Sequence, residues 1–231
     1  TKGDAAVSAL ISGSPTIGFL GFAVLEPIFG TTAAVGLVIA IVSIEVNALG
    51  IPIGLCLLNS GNAQAAALNG GKKPNPWTPV VNALKQPVAW APILAVILVL
   101  CGVKWPAELD PSFTLLAGAN ASVAVFAAGI TLSSVKITIN GQVWMGTFLK
   151  LLIMPLAILA VGLLFHMEPV NLKMLVVCAA LPPAFSGIII ASRYNTYVAT
   201  GTSSLAISTL LFMATCPMWI WITDKALQIF G

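Results

Sequence analysis

Apolar residues fill this chain in long runs, and the polar positions collect between the runs. Seven runs approach the length needed to cross a bilayer: 5–28, 31–58, 86–103, 112–134, 141–165, 170–192 and 198–222. A helix needs about 20 apolar residues to span the hydrocarbon core. The connections are short except for 59–85, a stretch rich in Gly, Pro and Asn. The pattern predicts an all-α integral membrane protein with about seven spans and a boundary at that long loop.

Two of the runs contain residues that oppose a continuous helix. "VVCAALPPAFSGIIIASRYN" (176–195) places Pro182 and Pro183 near its middle, where a proline costs about 3 kcal/mol by removing a donor and crowding the preceding turn. "SGSPTIGFLG" (12–21) combines Pro15, Thr16, Gly18 and Gly21. Offsetting the chain by 165 residues lays the first two runs on the last two: "FGT" (29–31) falls on "YNT" (194–196), Pro52 on Pro217, and Gly18 on Pro183. Segments five crossings apart run in opposite directions, so the match predicts an inverted-topology repeat, a common construction in secondary transporters. Residues 1–58 then form the last two helices of a first repeat, 59–85 a cytoplasmic linker, and 86–231 a complete second repeat of five helices. Three further spans are expected upstream of Thr1 in a ten-helix parent fold.

Composition agrees with a membrane setting. Apolar residues make up 58% of the chain and charged residues 7%, with a mean hydropathy of +1.02, too little charge to cover a soluble surface. Alternating sides sort the basic residues into Lys2, Lys72, Lys73, Lys85, Lys136 and Arg193 against Lys104, Lys173 and Lys225. The second group shares its side with Glu108, Asp110, Glu168 and Asp224. The positive-inside rule therefore puts the N-terminus and the long loop in the cytoplasm. Trp77, Trp105, Trp219 and Trp221 fall near run ends, as interfacial anchors do. The net charge of +3 thus reports topology, with no nucleic-acid partner expected. Cys56, Cys101, Cys178 and Cys216 lie in apolar runs without metal-ligand spacing and read as packing residues. A single histidine, no Gly-rich phosphate loop with its Lys and no Ser/His/Asp set argue against an enzyme. No cofactor or metal is expected.

"GFLGFAVLEPIFG" (18–30), "ALKQPVAWAPILAVILVLCGVKWP" (83–106), "LLAGANASVAVFAAGITL" (115–132) and "ALPPAFSGIIIASRYN" (180–195) resemble the auxin efflux carrier family. "KQPVAWAP" is most similar to its malonate-transporter branch. The resemblance implies ten helices in two inverted repeats, with two broken helices crossing near the bilayer centre, here around Thr16–Val24 and Pro182–Ile188. It implies secondary transport of small organic anions, carboxylates in particular, across a bacterial inner (plasma) membrane. This chain has Thr16 where the family usually has Asn, and Ala23 where it usually has Pro.

The unwound segments supply the candidate chemistry. Backbone freed at mid-membrane is tolerated only where it is buried in protein or lines a cavity. The half-helix after Pro182 and Pro183 turns free N–H groups and a positive dipole end towards an anion. Ala184 and Ser186 lie in its first turn, and Thr16, Gly18 and Gly21 stand at the other break; prolines that merely kink a helix for packing are the bland alternative. Asn120 is a candidate amide donor to a carboxylate, or else interhelical glue. Glu45 is the most deeply placed acid and the candidate for a coupling ion, H⁺ or Na⁺, against a structural pairing with Asn47 or Lys150. Lys150 is expected to snorkel to the interface. Arg193 reads as a cytoplasmic anchor and His166 as a solvated loop residue. The function expected is symport of malonate or a related carboxylate by alternating access, in contact with membrane lipid. A homodimer is an expectation from the architecture, since such carriers often pair through a scaffold domain. A sodium-coupled carrier of another crossed-helix family and a seven-helix receptor are the alternatives; the run 198–222 has no lysine for a retinal Schiff base.

Overall fold

Prolines mark the two places where a predicted span of this chain is interrupted. The structure, a computed structural model, describes residues 2–68, 77, 81, 85, 87–103, 106–112, 115, 116, 119, 126, 130, 133 and 137–230. The described residues are helical, apart from turns and a single isolated bridge. Among the described residues, three helical stretches are long and apolar enough to cross a membrane: Ala33–Asn62, Gly141–Leu164 and Val198–Ile229. Most of the run 112–134, Asn120 included, lies outside the described residues.

The first predicted span is two helices, α1 (Lys2–Gly13) and α2 (Ile17–Phe29). Pro15 has no N–H to give to the preceding turn and drives Ser14 away from helical backbone, so α1 ends at Gly13. A turn at Gly30, whose φ of 82° suits a residue without Cβ, leads to α3 (Ala33–Ile44). Thr32 caps that helix by accepting from Val35 N–H at 3.4 Å. A π-helical turn (Glu45–Gly50) then leads into α4 (Ile51–Leu68). Pro52 cannot donate to the carbonyl four residues back, and the wider turn absorbs that fault. α4 runs past the expected linker start at 59, because "AQAAAL" is good helix sequence. α5 covers Pro87–Leu100.

α6 (Gly141–Phe148) starts where Asn140 Oδ1 accepts from Val143 N–H at 2.9 Å. A second π turn (Leu149–Ile153) joins it to α7 (Met154–Leu164). The cause is again a proline, Pro155, which leaves the Leu151 carbonyl without its helical donor. The indole of Trp219 fills that role, donating Nε1–H to Leu151 O at 2.7 Å. Trp219 is therefore a core residue, 3% exposed, and not the interfacial anchor that its place near the end of 198–222 suggests. The helix that carries it runs on to Phe230. Trp219→Phe keeps an aromatic ring but removes the donor and some buried volume, so it is expected to lower stability by about 1–3 kcal/mol, read as a lower melting temperature in detergent.

The sixth predicted span is also two helices, α8 (Pro169–Ala180) and α9 (Phe185–Arg193), separated by Leu181, Pro182, Pro183 and Ala184. α10 (Val198–Phe230) closes the described chain. α1 packs on α4 and α9, α2 on α3, and α8 on α7, α10 and α3. One apolar cluster joins Leu10, Ile11, Leu55 and Ile188; a second joins Ile17, Leu25, Ile39 and Val177. Large apolar residues such as Leu37, Ile41, Leu57, Leu210 and Met213 face outwards, the arrangement expected where lipid replaces water.

Candidate functional site at the paired helix breaks

The two breaks meet. Pro15 and Pro183 form an antiparallel bridge: Thr16 N–H donates to Pro182 O at 2.9 Å, and Ala184 N–H donates to Ser14 O at 2.8 Å. Each unwound segment thus satisfies backbone groups of the other, the requirement for non-helical chain away from water. A shift of 168 residues exchanges the two bonds, because it carries Ser14 to Pro182 and Thr16 to Ala184. The helices that follow, starting at Ala33 and Val198, keep the offset of 165. Pro15 is the residue bridged to Pro183, whereas the offset of 165 lays Gly18 on Pro183. α2 has 13 residues against 9 in α9, so a single offset cannot serve both the breaks and the helices after them.

Both helices after the breaks present the donors of their first turn without a side-chain cap. A cavity of about 210 Å³ lies between them, lined by Thr16, Gly18, Asn47, Ala184, Ser186 and their apolar neighbours. Thr16 is 2% exposed and its hydroxyl has no hydrogen-bond partner among the described residues. Gly18 borders the cavity with nothing within 4 Å of where a Cβ would stand. Four expected residues, Thr16, Gly18, Ala184 and Ser186, therefore line one space. Pro182 and Pro183 are buried and shape the break without lining the cavity. Gly21 does not join them: a Cβ there would meet Ile17 at 3.1 Å and Ile39 at 3.5 Å, so Gly21 allows α2 to pack on α3. Asn47 is the lining residue that sequence reasoning had assigned only to pairing with Glu45. Its amide donates instead to Ser43 O at 2.8 Å, which leaves its carbonyl oxygen available as an acceptor.

Glu45 is exposed, at the head of the first π turn, and lines a second cavity of about 410 Å³ with Gly13, Ser14 and Leu57. Val46 borders both cavities, which places the carboxylate beside the breaks and in contact with solvent-accessible space. Lys150 does not snorkel. It is fully buried on the second π turn, and Nζ has no hydrogen-bond partner among the described residues. Position along a run had suggested the interface, but the side chain points among packed helices. Arg193 is exposed in the last turn of α9, where a cation complements the helix dipole. His166 is exposed in the turn before α8, at φ 50°.

The relatives of this chain are transporters by name. The sequence profile described as "Membrane transport protein" matches residues 1–220. The chain is 56% identical over 223 residues to the "Uncharacterized transporter YfdV" of Escherichia coli strain K12, covering 96% of this chain and 69% of that protein. Proteins with the same description in Escherichia coli O157:H7 and Shigella flexneri match equally. A receptor role is thereby set aside, and a multi-pass membrane protein is supported. The chain belongs to the auxin efflux carrier-like membrane transport family.

Proposed function

We propose that this chain is part of a secondary carrier for a small organic anion, malonate or a close carboxylate relative, in the bacterial inner membrane. The cavity between the two breaks is the substrate site. The observation that carries this reading is the unpartnered hydroxyl of Thr16, buried beside the uncapped first turns of α2 and α9. Three kinds of donor converge there on a space of about 210 Å³: a threonine hydroxyl, the Ser186 hydroxyl and backbone N–H groups at positive helix ends. Helix N-termini favour carboxylates for the same reason that they favour phosphates. Two proline-marked breaks that meet in one antiparallel bridge are what an inverted repeat with crossing broken helices would give. In this reading the two repeats rock about the fixed bridge and expose the cavity to each side in turn.

Glu45 is the candidate for a coupling ion, H⁺ or Na⁺, because it faces accessible space one residue from Val46, which borders the substrate cavity. Glu45→Gln preserves shape and removes the charge. Gradient-driven malonate accumulation is expected to fall by about tenfold, with a stability change within about 0.5 kcal/mol, as for other exposed positions. Accumulation equal to wild type under proton and sodium gradients would discard the role. The function itself is tested by labelled malonate uptake into proteoliposomes of the full-length protein, with acetate, succinate and indole acetate as competitors. Malonate-inhibitable flux is expected; no such flux under either gradient would overturn the substrate assignment.

A further inference from the structure

The cavity between the breaks has no positively charged side chain in its lining. Thr16, Ser186 and Asn47 are its polar side chains, and its other neighbours are apolar or glycine. The fully buried Lys150 is not among them. The attraction for an anion therefore comes from the uncapped first turns of α2 and α9. A helix N-terminus is equivalent to about half an elementary charge, so the two together balance about one carboxylate. A second carboxylate would enter without a counter-charge. It would also stand close to Glu45, the chain neighbour of Val46, which borders this cavity. Burying an unpaired charge costs far more than burying a neutral polar group that is hydrogen-bonded.

Asn47 supplies the opposite kind of group. Its Nδ2 donates to Ser43 O at 2.8 Å. That bond fixes the orientation of the amide, since the flipped form would set two oxygens against each other. Ser43 lines the neighbouring groove with Val96 and Val99, and not the cavity at the breaks. With Nδ2 held by its own helix, Oδ1 is the atom that Asn47 has left for a ligand. An amide oxygen only accepts, so it repels a carboxylate oxygen and attracts an O–H or N–H. Asn47 belongs to the first π turn, and such turns are frequent at functional sites.

We infer that the site takes a singly charged carboxylate that carries its own hydrogen-bond donor, and that Asn47 selects that donor. The inference rests on the anion-carrier reading and names the form of its substrate: for malonate, the half-protonated monoanion. The ionised carboxylate lies at the two helix ends with Thr16 and Ser186, and the protonated carboxyl donates to Asn47 Oδ1. The proton on the substrate is cargo, taken from water and returned to it, and is separate from the ion assigned to Glu45.

The test is calorimetric titration of the full-length protein in detergent with malonate, malonamate and monomethyl malonate. At about pH 8, well above the usual carboxyl range, malonate is a dianion. Malonamate is then a monoanion with an N–H donor, and monomethyl malonate a monoanion without one. Malonamate is expected to bind at least about tenfold more tightly than either of the others. Malonate affinity is expected to rise by up to about tenfold per pH unit as pH falls towards protonation of its second carboxyl. Asn47→Leu, similar in size and unable to accept, is expected to weaken malonamate by about tenfold and to leave monomethyl malonate unchanged. If that variant does not fold, the comparison of the three ligands on wild type decides. Malonate dianion binding as tightly as malonamate would overturn the inference and leave the anion-carrier reading standing, as would equal weakening of both monoanions by Asn47→Leu. Binding of none of the three would overturn both.

Discussion

Replacing Ala184 by proline is expected to cut transport by about tenfold or more while leaving the helices in place. Ala184 has φ −72° and ψ 138°, within the range that proline itself imposes. Pro183, the residue before it, is part of the extended bridge, as a residue preceding proline should be. The substitution thus fits the backbone and removes little besides one N–H. That N–H donates to Ser14 O at 2.8 Å, one of the two bonds joining the breaks. Its loss leaves a carbonyl unpaired beside Gly13 at a cost of about 1–3 kcal/mol, and the cavity walls lose half of their direct tie. Initial malonate uptake is expected to fall by about tenfold or more, since about 1.4 kcal/mol is a factor of ten. Helical circular dichroism should match wild type. Uptake near the wild-type rate would show that the bridge does not organise the site.

The breaks were legible in the sequence because proline acts locally. Pro182 and Pro183 end a helix in any context, and Pro15 with the glycines after it marked the partner. The spatial partner of Pro183 was less legible: an offset of 165 lays Gly18 on it, while the bridge joins it to Pro15, because backbone pairing depends on packing as well as on local sequence. Gly21 illustrates the same limit: a glycine at a break and a glycine under a neighbouring helix look alike in sequence, and only the closeness of Ile39 separates them. Lys150 and Trp219 were misplaced for a related reason. Distance along an apolar run gives depth but not the direction around the helix, and the run 198–222 continues as helix to Phe230. The π turn that sets the direction of Lys150 had a readable cause in Pro155, as did the turn at Glu45 in Pro52. Asn47 reached the site through the first π turn, beyond what apolar periodicity can report.

Gly18 gives the other large effect. It borders the cavity at the breaks, and nothing lies within 4 Å of its absent Cβ. A Cβ there meets no protein, and a longer side chain has the bordering cavity to fill. It also sits in the first turn of α2, where glycine is a poorer helix former than leucine by up to about 1 kcal/mol. Gly18→Leu is therefore expected to fold at least as stably as wild type and to exclude the substrate. That separation of stability from binding makes it the direct test of an anion site between the breaks. Calorimetric titration of malonate into the detergent-solubilised full-length protein should show binding by wild type. Gly18→Leu should bind at least about a hundredfold more weakly, with an equal or higher melting temperature. Undiminished malonate binding by a well-folded Gly18→Leu would place the anion elsewhere and contradict the account.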